Sequence, residues 1–215
     1  MKKNTFTEFL KYNLLNNLKT PSFYIITLLF TIFVSVNYFI RQQFFTGSGT
    51  TDLTLYFTIV PYICILVIPA LCYKHSFTVY DAFIPLKNST KIFVHVLSDL
   101  ILFTAMLICI LPGALLVNIF GSIDGGQLFT SMICLLFYGA AVISVTVFID
   151  KCLPNRISSF VVSAIVLAIF NSAHLFAVYA QLPQFLTTIC KQLSFAWHFD
   201  AAGKGILDTR DLLWL

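Results

Sequence analysis

The sequence predicts an all-α polytopic membrane protein that crosses a bilayer about five times. Three observations predict it: 59% of the 215 residues are hydrophobic while only 10% are charged, the apolar residues gather in runs of bilayer length, and the runs are continuous. A soluble domain carries about 25% charged residues to cover its surface, and this chain cannot do so. Barrel strands alternate in polarity over about 10 residues, so continuous runs mean helices.

Residues 1–21 place Phe6, Phe9, Leu10, Leu14, Leu15 and Leu18 at helical spacing, with Lys11, Asn13, Asn16 and Asn17 between them. This pattern predicts an amphipathic helix lying flat in the headgroup layer, its lysines drawn to anionic lipid. Pro21 breaks it. Lys2 and Lys3 stand about 20 mixed residues before the first apolar run, unlike a cleaved signal peptide, so that run is read as a retained anchor.

The spans are predicted at 23–40, 53–72, 97–120, 128–149 and 157–180, with 92–97 extending the third into the headgroup layer. Pro61, Pro69 and Pro112 lie inside them, where Pro usually kinks a helix. In sequence, a kink in a moving part and one in a static bundle look alike. Residues 181–215 are expected as an extracytoplasmic segment: a short helix on the outer surface from 185–190 and 193–197, a turn at Gly203 and Gly205, then the threshold of a sixth span. The last four apolar residues reach only about 6 Å as helix, so that span is read as missing or truncated.

Lys2, Lys3, Lys11, Lys19, Lys74, Lys87, Lys91, Lys151 and Arg156 fall on one side of this topology. Arg41, Lys191, Lys204 and Arg210 fall on the other. The excess of basic residues predicts a cytoplasmic N-terminus in a multi-pass protein of the cell (inner) membrane. The net charge of +4 is scattered between apolar runs and forms no basic face, so a nucleic-acid partner is excluded.

Enzymatic chemistry finds little to work with. Glu8 is the only Glu, H-E-x-x-H is absent, and there is neither a P-loop nor a G-x-S-x-G turn. His75, His95, His174 and His198 lie far apart and give no metal-ligand signature. Cys64, Cys72, Cys109, Cys134, Cys152 and Cys190 occur singly and read as buried small hydrophobes. The chain is expected to be no enzyme and to bind no cofactor; any ATP it uses is hydrolysed on another chain. Asp99, near the start of a span, reads either as part of a substrate path or as an acid solvated at the interface. Asn118, Asn171 and His174 read either as pathway groups or as bonds between helices.

Three stretches resemble the permease of ABC-2 type transporters, especially the gliding-motility-associated branch. The first runs from Ile68-Pro69-Ala70 to Pro85-Leu86-Lys87-Asn88-Ser89-Thr90, similar to the family's helix end, polar cytoplasmic segment and Pro-hydrophobic-Ser/Thr turn. The second is Gly121-Ser122-Ile123-Asp124-Gly125-Gly126, followed by a span and Pro154-Asn155-Arg156. The third is His198-Phe199-Asp200 with Gly203 and Gly205-Ile206-Leu207-Asp208-Thr209-Arg210-Asp211, similar to a family signature. One departure is Tyr73-Lys74-His75-Ser76, which carries no acid where the family has an acidic-basic cluster.

The resemblance implies a membrane subunit that pairs with a second permease copy or a related permease, and that docks on ABC ATPase subunits carrying ATP and magnesium. It implies a coupling loop at Phe77, Tyr80, Asp81, Phe83, Ile84, Pro85, Leu86 and Lys87. Read by itself, the same loop offers apolar anchors with charged rim contacts, or simply packs on its own bundle. The expected function is export of an unidentified substrate driven by the separate ATPase. The alternative is a non-transporting membrane component of an ABC-type envelope or motility complex.

Overall fold

The computed structural model describes residues 2–42, 52–73, 85–120, 123–153, 155–181, 183–206 and 208–214. They form α1 (Lys2–Leu18), α2 (Pro21–Arg41), α3 (Thr54–Thr58), α4 (Val60–Cys72), α5 (Asn88–Phe120), α6 (Gly125–Cys152), α7 (Arg156–Tyr179), α8 (Gln184–Leu193), α9 (Phe195–Gly203) and α10 (Thr209–Trp214). Five stretches are long and apolar enough to cross a membrane: α2, α3 with α4, α5, α6 and α7. The all-α, polytopic expectation holds.

Burial separates the inner spans from the outer ones. Half of the α3–α4 and α6 windows is buried against 22% for α2 and α7, so α2 and α7 flank a centre built from α3–α4, α5 and α6. The centre is aromatic: Tyr38, Tyr56 and Phe57 pack edge to face, and Phe103 and Tyr138 are fully enclosed. Its helices approach closely where side chains vanish. A Cβ on Gly139 of α6 would overlap the Phe103 ring of α5. Polar bonds then join helices across lipid-depth packing, where water supplies no partner: the Tyr56 hydroxyl donates to the Ile110 carbonyl at 2.8 Å, and the Tyr138 hydroxyl to the Pro61 carbonyl at 2.9 Å.

The second span is interrupted at Ile59, one turn from its start. Pro61 follows immediately and has no N–H to donate, which ends α3 and seeds α4 at the position Pro favours. Pro69 and Pro112 sit inside α4 and α5. The third span starts earlier than 97: α5 is a single helix of 33 residues, about 50 Å, against a hydrocarbon core of about 30 Å.

The overhang of α5 is where α1 docks. Phe6 stacks on Phe93 at 6.5 Å, and Phe9 meets the edge of His95 at 5.5 Å. The helix expected at residues 1–21 is present, but its buried stripe is Phe9, Asn13 and Asn17, while Leu15 and Leu18 are exposed. A protein surface with polar groups, and not lipid alone, sets that stripe. Thr20 is extended, as the residue before a proline must be, and turns the chain into α2.

Residues 181–215 depart furthest from expectation. Instead of one surface helix there are two, α8 and α9, broken at Ser194 and folded back along the bundle. Gln181 adopts a positive φ of 48° and Pro183 caps α8, so the chain reverses at once after α7. Ser194 then lies against Asn171, eight residues or about 12 Å back down α7. From there α9 packs on α3, α4, α6 and α7, and ends beside the starts of α3 and α6.

Candidate functional site at the mouth of the bundle

The end of the bundle opposite α1 is closed by a polar knot. Gln127, in the first turn of α6, points its Nε2 at three acceptors: Asp52 Oδ1 at 3.2 Å, Thr54 Oγ1 at 3.0 Å and the Gly203 carbonyl at 2.9 Å. One turn further along, the Ser131 hydroxyl donates to the Ala202 carbonyl at 2.8 Å. The starts of α3 and α6 are thus tied to the end of α9. Asp124 caps α6, accepting from the Gly126 N–H at 2.8 Å, while Asp52, one residue before the Leu53 cap position of α3, accepts from the Thr54 N–H at 2.9 Å. Burial pushes the Asp52 carboxyl up, but hydrogen bonds from the Thr54 hydroxyl, the Thr54 N–H and Gln127 outweigh it and leave its pKa below the ordinary carboxylate value.

From the third family-like stretch, His198, Phe199, Gly205, Asp208, Arg210 and Asp211 each have a definite place here. His198 Nδ1 lies 2.7 Å from Asp211 Oδ1 and its Nε2 3.1 Å from the Gln192 carbonyl, while its ring stacks on Trp214 at 4.1 Å. Phe199 is buried against Tyr138. Gly205 has a φ of +83° and its Cα faces the Gln127 side chain so closely that a Cβ would sit 3.2 Å from it. Asp208 accepts from the Arg210 N–H at 2.9 Å and starts α10, and Arg210 itself is exposed.

Of the polar residues inside spans, Asn171 and His174 lie together. Ser194 donates to the Asn171 carbonyl at 2.9 Å and lies 2.7 Å from His174 Nδ1, while Asn171 Oδ1 accepts from the Tyr138 hydroxyl at 3.4 Å. Both residues hold the α8–α9 turn. Asn171 Nδ2 is buried with no partner. Asp99 belongs to the other end of the bundle, fully buried beside the equally buried Cys72. It is not brought together with Asn171 and His174. Asn118 receives the Ile123 N–H at 3.4 Å, an exposed loop contact.

Phe77, Tyr80, Asp81, Phe83 and Ile84 lie outside the described residues. Pro85 and Lys87 are exposed, and the Lys87 carbonyl accepts the Lys91 N–H at 3.1 Å as α5 begins. Among the described residues no group of three or more His, Cys, Asp or Glu is placed to hold a metal ion. The cysteines divide: Cys64, Cys72 and Cys134 are buried, but Cys109 and Cys152 are exposed and Cys190 is half-buried. Gln127, Ser131, Tyr138 and Ser194 escaped the sequence reading; the signal for Ser194 was a Ser immediately before a helix-forming apolar run, the N-cap pattern. No protein-family model, curated protein or solved structure matches this chain.

Proposed function

We propose that this chain is the membrane-spanning permease subunit of an ABC-2 type exporter, coupling ATP hydrolysis on a separate ATPase subunit to movement of a substrate across the cell membrane. One observation carries the reading. Two family-like stretches lie far apart in sequence, yet Gln127, immediately after the first, donates to Gly203 and is covered by Gly205, both inside the second. Residues that must fit one another resemble one family's pattern jointly, which is stronger support than either stretch alone. In this reading two permease copies, or this chain and a related permease, sit on two ATPase subunits that hold ATP and magnesium. The N-terminus and the loop at 77–87 are cytoplasmic, and that loop docks on the ATPase.

The test is purification of the full chain in detergent from its own cells, with co-purifying subunits sequenced. An ATPase with a P-loop is expected. A central apolar anchor typically contributes about 2 kcal/mol, so Phe83→Ala or Tyr80→Ala weakens its association roughly thirtyfold. Gly125→Ala, at the other end of the bundle where a Cβ meets nothing within 4 Å, leaves it unchanged. ATP-dependent flux in inside-out vesicles completes the case. An ATPase that binds without any flux favours the non-transporting alternative, and absence of a P-loop partner overturns both.

A further inference from the structure

A groove of about 1040 Å³ runs down the side of the bundle between α2, α3–α4 and the end of α7. Its α2 wall is a single helical stripe, Leu29, Phe33, Asn37 and Arg41, and its floor is α3 and α4. From Leu29 to Arg41 the stripe rises about 18 Å, roughly one leaflet of a hydrocarbon core about 30 Å thick. Polarity is graded along it. The deep end is Leu29, Phe30, Leu66 and Val67; the shallow end adds Asn37, Thr58, Tyr62 and the cation Arg41.

Among the described residues no carboxylate lies in ion-pair range of Arg41, which is exposed at the last turn of α2. The Asn37 side-chain amide, which donates to the Phe33 carbonyl at 2.9 Å, adds a polar group to the same wall. A second, smaller cavity of about 160 Å³ adjoins at Thr58 and Tyr62 and is closed by His174, Trp197 and Asp200. The groove itself opens sideways: Leu29, Phe33 and Leu66 are each exposed by more than half. A water-filled pathway has no use for such a wall, and a small polar solute would leave it empty.

We infer that this groove is a binding site for one phospholipid of the leaflet opposite the N-terminus, its phosphate paired with Arg41 and its acyl chains lying along α2 and α4 toward Leu29 and Val67. Three features select this occupant. The groove has the depth of one leaflet, its polarity falls in the direction in which a lipid's does, and its unpaired guanidinium matches a phosphate in two-pronged geometry. The volume is at the upper end of ordinary ligand pockets, as a two-tailed ligand requires. The small adjoining cavity gives the headgroup beyond the phosphate a polar place to rest. This site does not depend on the exporter reading.

The full chain in nanodiscs, containing a trace of phosphatidylglycerol with a photoreactive diazirine midway along one acyl chain, provides the test. Cross-links mapped by mass spectrometry are expected to concentrate at the deep end, on Leu66 and Val67, over lipid-facing positions elsewhere such as Phe148 and Ile165. Arg41→Gln lowers groove labelling about tenfold, the effect of removing one charge-assisted pair. Leu66→Trp fills the groove and abolishes it. Leu28→Trp, an adjacent α2 residue that does not line the groove and is 61% exposed, leaves labelling intact and controls for folding. Diacylglycerol bearing the same diazirine labels about tenfold less and ignores Arg41→Gln. Uniform labelling around the bundle, or equal labelling by the two probes, overturns the site. So does a doubled particle mass with groove residues cross-linked between two copies, because a second chain is then the occupant.

Discussion

At the scale of single residues, the mouth of the bundle turns on Gln127, whose amide faces three oxygen acceptors and no donor. Gln127→Ala removes these bonds and takes the donor from the buried Gly203 carbonyl, a cost of about 1–3 kcal/mol. Gln127→Glu, almost the same shape, costs more, because it brings a carboxylate against Asp52 and a carbonyl. Thermal unfolding in detergent ranks the wild type above Gln127→Ala and Gln127→Glu lowest; the reverse order of the two variants contradicts the assigned bonds. Asp52 adds a pH dependence with a definite sign. Its folded pKa is depressed, so its contribution is fully present above the unfolded value of about 3.9 and is lost as pH falls through the lower folded value. The advantage of wild type over Asp52→Asn in such melts therefore begins to shrink below about pH 4 and is gone only once pH has fallen past the lower folded value. Neither residue stood out in the sequence. A Gln beginning an apolar run looks like a boundary marker, and its three partners lie 73 to 76 residues away. His198, Asp208 and Asp211, by contrast, drew notice through the resemblance to a family signature, and their bonds are local: His198 with Asp211, and Asp208 with the Arg210 N–H.

At the scale of elements, the α8–α9 turn shows why hydropathy misread the segment after α7. Phe185, Leu186, Ile189 and Leu193 on α8 are exposed while Thr187, Cys190 and Lys191 are half-buried, so a helix read as lying on the outer surface turns its apolar side outward and packs with its polar side. The turn is fixed by Ser194, which caps α9, donates to Asn171 and meets His174. Ser194→Ala removes the cap and the second hydrogen bond that the Asn171 carbonyl accepts, destabilising α9 by about 1–2 kcal/mol. Hydrogen exchange over 195–203 should rise about tenfold, while α6 stays protected; unchanged exchange would show that aromatic packing alone holds the turn. α1 was legible as a helix but not as a docked one. Its helical spacing identified the hydrophobic positions, yet Asn13 and Asn17 are buried, and Asn13 Nδ2 has no partner. Asn13→Leu is therefore expected to stabilise the α1–α5 contact and raise the melting temperature, since an unsatisfied buried amide costs more than an apolar replacement.

At the scale of the whole molecule, the five spans were readable because each is a local property of about 20 consecutive residues. What closes them into one body was not, because it consists of a few polar contacts between ends that sequence separates widely. The helices alternate in direction, so the α2, α5 and α7 starts share one end with the α4 and α6 termini, and the Asp52–Gln127–Gly203 knot lies at the other. Which end faces the cytoplasm rests on the basic residues alone. Nine of the thirteen Lys and Arg belong to the α1 end, and four to the knot end, where Lys204 pairs with Asp200 at 2.6 Å. On the positive-inside rule, the proposed orientation has α1 on the cytoplasmic side, and it is open to a direct test. Native Cys152, exposed at the end of α6 beside Lys151, reports on that side directly. Cys64, Cys72 and Cys134 are buried, and Cys109 is midway along the α5 span, at a depth that a membrane-impermeant reagent does not reach. In a Cys190→Ala background, an impermeant maleimide added to intact cells should leave the protein unlabelled until the membrane is opened, when Cys152 reacts. Adding Lys204→Cys, at an exposed position beside the knot, should give labelling from outside at once. If Cys152 reacts in intact cells and Lys204→Cys does not, the chain is inverted, and the loop at 77–87 is on the wrong side to meet an ATP-hydrolysing partner.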